Sequence, residues 1–259
     1  SGHLVLAKFI LGAQTDTSAL FEVLLHVGTL AAVCAVYYKD VWSLIKESVL
    51  LVVDAVLWLV RRKKFKMYAA RKMVLMIILV SIPTAVLGLL MQQFLEDIFL
   101  SSVLAVGLAL LVTGVVLLLI SRIPLGHKTI DGIKGRDALF IGLVQGIATI
   151  PGISRSGSTI SAGLFCGFDR KFAAQYSFIL SIPTILAGAA VSFYDALKGG
   201  QIVASALPAY LTGMVVSAVV GFFAIRLLEY LMKSRKFFVF AVYTISVGLA
   251  AVIFGLIRG

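Results

Sequence analysis

Pro151-Gly152-Ile153-Ser154-Arg155-Ser156-Gly157-Ser158-Thr159 is a polar, glycine-punctuated stretch set between two apolar runs, 138–150 and 160–168. Each run is far short of the roughly 20 apolar residues that a helix needs to cross a bilayer, so the pair reads as a re-entrant hairpin with the polar stretch at its tip. An arginine at that depth costs about 2.5–3.5 kcal/mol on insertion scales, which an anionic partner or a wet cavity has to offset. The stretch is a site by default.

The rest of the chain fits a membrane setting. Of its 259 residues, 61% are hydrophobic and 14% charged, and the mean hydropathy is +1.07, far above that of a soluble domain. A formal net charge of +11 raises nucleic acid as a partner. The basic residues, however, sit between apolar runs, where the excess of Lys and Arg in cytoplasmic loops explains them, and no nucleic acid is expected. Cys34 and Cys166 lie in apolar segments without metal-ligand spacing and read as small buried hydrophobes. The chain begins Ser1-Gly2-His3 with no initiator methionine and no signal-peptide pattern, so an N-terminal part is expected to be missing.

Taken in order, residues 4–12 suggest a re-entrant half-helix, and 18–38 are long enough to span. That span carries Glu22 and His26 one turn apart, both expected to face protein rather than lipid. An apolar run around 49–60, interrupted by Asp54, favours an interfacial amphipathic helix within a cytoplasmic insertion of about 41–72. Arg61-Arg62-Lys63-Lys64-Phe65-Lys66, with Arg71 and Lys72, marks the cytoplasmic side. Residues 73–92 then cross outward, 93–98 turn, and 99–120 return. The loop 121–137 is basic, with His127 solvated in it. After the hairpin, 172–194, 207–227 and 237–257 cross in turn. The expected fold is all-α and polytopic, with six transmembrane helices and two re-entrant hairpins. Of 23 Lys and Arg, 19 fall on the assigned cytoplasmic side.

The chain also resembles itself. At an offset of 155, Ser1-Gly2-His3 aligns with Ser156-Gly157-Ser158, Ala19 with Ala174, Leu25 with Leu180 and Thr29 with Thr184; at 133, Ala85 aligns with Ala218, Gly88 with Gly221 and Glu96 with Glu229. Residues 1–120 and 138–257 are thus expected to be two repeats within one membrane domain. Each holds one re-entrant element and three spans, and an odd number of spans makes the second copy inverted. That plan is common among secondary transporters, whose broken helices meet near the midplane and form the site. A transporter or lipid flippase is accordingly an alternative function.

The loop is rich in donors for phosphate. Gly152 and Gly157 let backbone N–H groups approach a ligand, Ser154, Ser156, Ser158 and Thr159 offer hydroxyls, and Arg155 holds two phosphate oxygens at once. A helix expected to begin near Thr159 adds the positive end of its dipole. The repeat places Ser1-Gly2-His3 opposite, and an imidazole there moves a proton or attacks phosphorus. Small residues that simply let re-entrant helices pack would look similar, but Arg155 argues for a ligand. Glu22 fits a supporting structural role as well as metal or proton handling, and Gln145 either turns its amide to the pocket or bonds a neighbouring helix.

Residues 151–159 resemble the PGxSRSxxT signature of the bacterial undecaprenyl-diphosphate phosphatases, the bacitracin-resistance protein family. Ser1-Gly2-His3 looks like the end of that family's other signature, a Glu-rich helix running into Ser-Ser-(Ser/Thr)-Gly-His, and Phe21-Glu22-Val23 with Val27-Gly28-Thr29 resembles the segment that follows. The similarity covers essentially the whole chain. It implies a multi-pass plasma-membrane acid-anhydride hydrolase that removes one phosphate from undecaprenyl diphosphate. Such an enzyme regenerates the carrier lipid for peptidoglycan and confers bacitracin resistance, with its site toward the outer face. It also implies His3, Arg155 and Ser156 as catalytic residues, and Ser1, Gly152, Ser154, Gly157 and Thr159 as diphosphate-binding residues. A divalent cation, Mg or Ca, is implied too; the paired glutamates expected to bind it precede His3 and are absent from these 259 residues, which alone are expected to be inactive or nearly so. Homo-oligomerisation is left open.

Overall fold

Helices follow the apolar runs, and their ends are set by charge, proline and serine. The computed structural model describes residues 2–11, 19–61, 67–198, 206–234 and 236–258. They form α1 (Gly2–Leu11), α2 (Ala19–Val36), α3 (Tyr38–Arg61), α4 (Ala69–Ser101), α5 (Val103–Ser121), α6 (Gly135–Ile147), α7 (Arg155–Phe165), α8 (Arg170–Lys198), α9 (Leu207–Lys233) and α10 (Phe238–Arg258). Among the described residues the β-structure is one isolated bridge, Lys128 with Phe168. The protein is an all-α polytopic membrane protein.

Five helices contain segments long and apolar enough to cross a bilayer: 69–91, 103–121, 170–194, 207–233 and 238–257. The sixth expected span, 18–38, corresponds to α2, whose described apolar run is the shorter Val23–Val36. A second difference concerns the turn expected at 93–98. The backbone there stays helical to Ser101, because Gln93, Glu96 and Asp97 tolerate a helix and no glycine or proline interrupts it. The break falls at Ser102, whose hydroxyl accepts from the Ala105 N–H and caps α5.

The basic loops converge at one end of the bundle. Arg170 donates to the Ser121 carbonyl at 3.4 Å, and Lys72 to the Asp131 carbonyl. The Lys128 N–H donates to Gly167, and the Asp169 N–H to Lys128. The basic run at 62–66 lies outside the described residues. From this basic end α6 rises for 13 residues and α7 descends for 11, about 20 and 16 Å. Both are too short to span a bilayer.

Two proline kinks grip that hairpin. The tetrapeptide Ser-Ile-Pro-Thr occurs at 81–84 in α4 and again at 181–184 in α8, and an interior proline removes a helical hydrogen bond and bends the axis. Thr84 donates to Val80 and, across the interface, to the Gly142 carbonyl of α6 at 3.1 Å. A side chain at Gly142 would overlap Pro83 and the Val80 carbonyl, so α4 and α6 meet backbone to backbone. On the opposite flank Thr184 accepts from Arg155. Elsewhere α5 and α10 run antiparallel, with Gly107 against Val252 and Gly114 against Ile245, while α9 packs on α2.

Helix α3 is longer than the amphipathic run around 49–60. Its neighbours Ala69, Met73, Ile130 and Phe172 all lie at the basic end. Tyr38, Trp42, Ile45, Val49, Val52 and Val56 form an exposed apolar stripe at helical spacing. From the other side, Glu47 and Asp54 reach Arg71 of α4 at 3.2 and 2.8 Å, and Arg71 is 4% exposed. Replacing Arg71 by alanine leaves two carboxylates facing each other and is expected to cost about 1–3 kcal/mol. That is below the figure for a wholly buried pair because Asp54 is partly solvated. A melting curve in detergent reads this, and Glu47→Gln with Asp54→Asn in the same chain should restore most of the loss.

Candidate active site

The hairpin tip is held against the start of α1. Gly152 has φ +98°, a left-handed conformation that suits glycine. A side chain on Gly152 would lie 2.7 Å from Cβ of Ala109 and 2.8 Å from the Val106 carbonyl; one on Gly2 would lie 2.8 Å from Cα of Gly152. The two turns expected to face each other therefore touch through glycines. Ser1 lies outside the described residues.

Helix α7 begins at Arg155, four residues before the expected start near Thr159. Ser154 is its N-cap: the Ser154 hydroxyl oxygen accepts from the Gly157 N–H at 3.1 Å, and the Ser154 N–H donates to Thr113 of α5 at 3.2 Å. The earlier start puts the positive end of the helix at Ser154–Ser156. Arg155 is half-buried and donates to the Thr184 hydroxyl at 3.4 Å, and among the described residues no carboxylate lies within 4 Å of it. A guanidinium with donors to spare beside a helix N-terminus forms a cradle for an anion.

Arg155, Ser154, Ser156, Gly152 and Gly157 line a cavity of about 700 Å³, and His3 lines it from α1. The volume falls in the range typical of small-molecule sites. Nε2 of His3 lies 2.9 Å from the Tyr243 hydroxyl of α10, with the two rings parallel within 3°. The tyrosine thus occupies one ring nitrogen and leaves Nδ1 for chemistry. His26 and Thr29 of α2 line the same cavity.

Two of the residues singled out lie outside the lining of the cavity. Thr159 is 3% exposed and lies outside the lining: its hydroxyl bonds to the Arg155 and Ser156 carbonyls and to Ser177 of α8. It stands one turn along α7 from Arg155 on the same side of the helix, where its hydroxyl fastens α7 to α8. Gln145, 1% exposed, also lies outside the lining, and its Nε2 has no partner among the described residues. Glu22 belongs to α2, but its side chain lies outside what the structure describes. Cys166 caps the far end of α7, where burial first and Asp137 next push its thiol up to about 11, as suits a packing residue.

Tyr243, Thr113, Thr184 and Ser177 complete the framework, and sequence reasoning missed all four. Hydroxyls inside apolar helices ordinarily bond back to their own carbonyls, and nothing in the local pattern separates these from such cases. The described lining offers two imidazoles and no carboxylate, and among the described residues no three His, Cys, Asp or Glu side chains are grouped to hold a metal ion. These residues by themselves do not fit a divalent cation.

Comparison with known proteins gives the same direction. The chain is 38% identical to the undecaprenyl-diphosphatase of Alkaliphilus metalliredigens (strain QYMF), over 99% of this chain and 92% of that protein. It is 35% identical to the undecaprenyl-diphosphatase of Methanosphaera stadtmanae, over 99% and 91%. It is also 38% identical to that of Halothermothrix orenii (strain H 168), over 98% and 89%. The family model described as bacitracin resistance protein BacA matches residues 1–250. With the glycine-to-glycine contact of its two turns and the arginine cradle beside them, the chain belongs to the BacA bacitracin resistance protein family.

Proposed function

We propose that the full-length protein hydrolyses undecaprenyl diphosphate to undecaprenyl phosphate and inorganic phosphate, recycling the carrier lipid for peptidoglycan synthesis and so conferring bacitracin resistance. The observation that carries this reading is the position of His3 in one cavity with Arg155, a guanidinium that no described carboxylate neutralises. The names of its relatives support it.

In this reading Arg155, the Ser156 hydroxyl and the N–H groups opening α7 hold the diphosphate and stabilise charge building on the terminal phosphoryl oxygens. The bond between the terminal phosphorus and the bridging oxygen breaks, and a water oxygen bonds to that phosphorus. His3 receives the water's proton at Nδ1, or attacks phosphorus first and is then released by water. Tyr243 holds the ring in register for either route.

The reading includes a bacterial plasma-membrane location, a site served from the outer face, and the two inverted units, 1–120 and 138–257. The antiparallel packing of α5 on α10 supports the repeat, as does the placing of both Thr29 and Thr184 at the site. It also includes a divalent cation held by ligands beyond the described residues.

The test is phosphate release from undecaprenyl diphosphate by the purified full-length protein in detergent, before and after EDTA and with Mg or Ca returned. Equimolar lipid monophosphate and phosphate are expected, lost with EDTA. Lipid transfer between leaflets of proteoliposomes with no phosphate released would favour the transporter instead.

A further inference from the structure

The cavity holds a second imidazole that the proposed reaction does not use. His26 lines it from α2, as His3 does from α1 and Arg155 from α7. Measured from the helix ends nearest the basic side, Val36 and Phe165, His26 and Arg155 each stand ten residues in, roughly 15 Å. The two residues are thus at about the same depth. They reach the cavity from different walls, for α2 packs on α8 and α9, whereas α7 packs on α5, α6 and α8.

A diphosphate brings two charged groups to this cavity, and the donors around it are unevenly spread. Arg155, Ser156 and the N–H groups opening α7 serve the terminal phosphate, beside His3. Thr29, Thr149, Ser181 and Thr244 also line the cavity, but each gives its hydroxyl hydrogen to a carbonyl three or four residues back, at 2.7–2.8 Å. The Tyr243 hydroxyl is engaged with His3. A phosphate oxygen taken out of water without a donor is costly. An imidazole has two ring nitrogens, so His26 can serve an anion with one while the other serves the protein.

We infer that His26 donates from one ring nitrogen to the lipid-side phosphate of the bound diphosphate, across the cavity from Arg155. This rests on the phosphatase reading and adds a ligand for the leaving group. When the bond to the terminal phosphorus breaks, the bridging oxygen keeps the electron pair and stays on the lipid-side phosphate, so the negative charge facing His26 rises. A donor there binds the transition state more tightly than the ground state, and afterwards it holds the lipid monophosphate. The two products then have separate ligands, the lipid monophosphate on α2 and inorganic phosphate on α7.

The experiment measures inhibition of the full-length protein by each product, with undecaprenyl diphosphate as substrate. His26→Leu is expected to raise the inhibition constant of undecaprenyl phosphate about tenfold and to lower kcat about tenfold, the scale of one hydrogen bond to a charged group. The constant for inorganic phosphate should stay within about twofold, since its donors on α7 are untouched. His26→Gln keeps a donor and should return the lipid constant to within about threefold of the unaltered protein. His26→Ala serves if the leucine variant fails to fold. A constant for undecaprenyl phosphate that does not change in the folded variants, or two constants raised alike, overturns the contact. Release of no phosphate by the unaltered protein overturns the phosphatase reading, and the contact with it.

Discussion

Replacing Arg155 by alanine is expected to lower phosphate release by about a thousandfold, the upper range for removing a donor aimed at developing charge. Arg155→Lys keeps the charge but loses the planar fork, and should recover only part of that loss. The same alanine variant is expected to melt no lower than the unaltered protein. Among the described residues Arg155 has no carboxylate to leave behind, only the Thr184 hydroxyl at 3.4 Å, and its removal lifts the cost of an ion held in an apolar bundle. Activity and stability then move apart, as they do where a site is kept at the expense of the fold. A kinetic assay and a melting curve on one preparation read both. A large fall in melting temperature would recast Arg155 as a structural residue.

Gly152→Val is expected to lower both quantities. At φ +98° a branched side chain meets its own backbone, and its first carbon falls inside contact distance of Val106 and Ala109. The strained conformation costs about 1–3 kcal/mol and the overpacking a similar amount. Together they should lower the melting temperature by roughly 4–24 °C. Activity should fall further than stability, because a shifted tip carries Ser154 and Arg155 away from His3. Ala109→Gly in the same chain relieves one of the two contacts and should return part of the stability. Full activity in Gly152→Val would mean that the touching turns do not set the site.

The parts of this architecture that could be read in advance are those with local causes. Two apolar runs too short to span, separated by a loop with an arginine, become the α6–α7 hairpin, and the basic loops meet at one end because charge alone sorts them. Gly2 meets Gly152 at the hairpin tip, a contact between distant small residues that a local pattern alone does not give. Thr159 ends the polar loop in sequence, yet in the fold Ser177 of α8 covers its hydroxyl. Whether a polar side chain near a loop meets the cavity or a neighbouring helix is set by tertiary packing that no local pattern encodes. Tyr243 lies 240 positions from the histidine that it bonds, and no local spacing links them. The turn expected at 93–98 does not form because Glu96 and Asp97 are compatible with a helix, which continues to Ser101.

Both tryptophans of the chain, Trp42 and Trp58, belong to α3, the helix clasped by Arg71 at the basic end. Intrinsic fluorescence is therefore a private signal of that one element. A shift in emission on adding lipid or denaturant reports the surroundings of α3, and an unfolding curve followed this way times its departure and not the opening of the cavity. The Arg71→Ala variant should advance the optical transition ahead of the loss of enzymatic turnover, so that two clocks in one molecule tell different times.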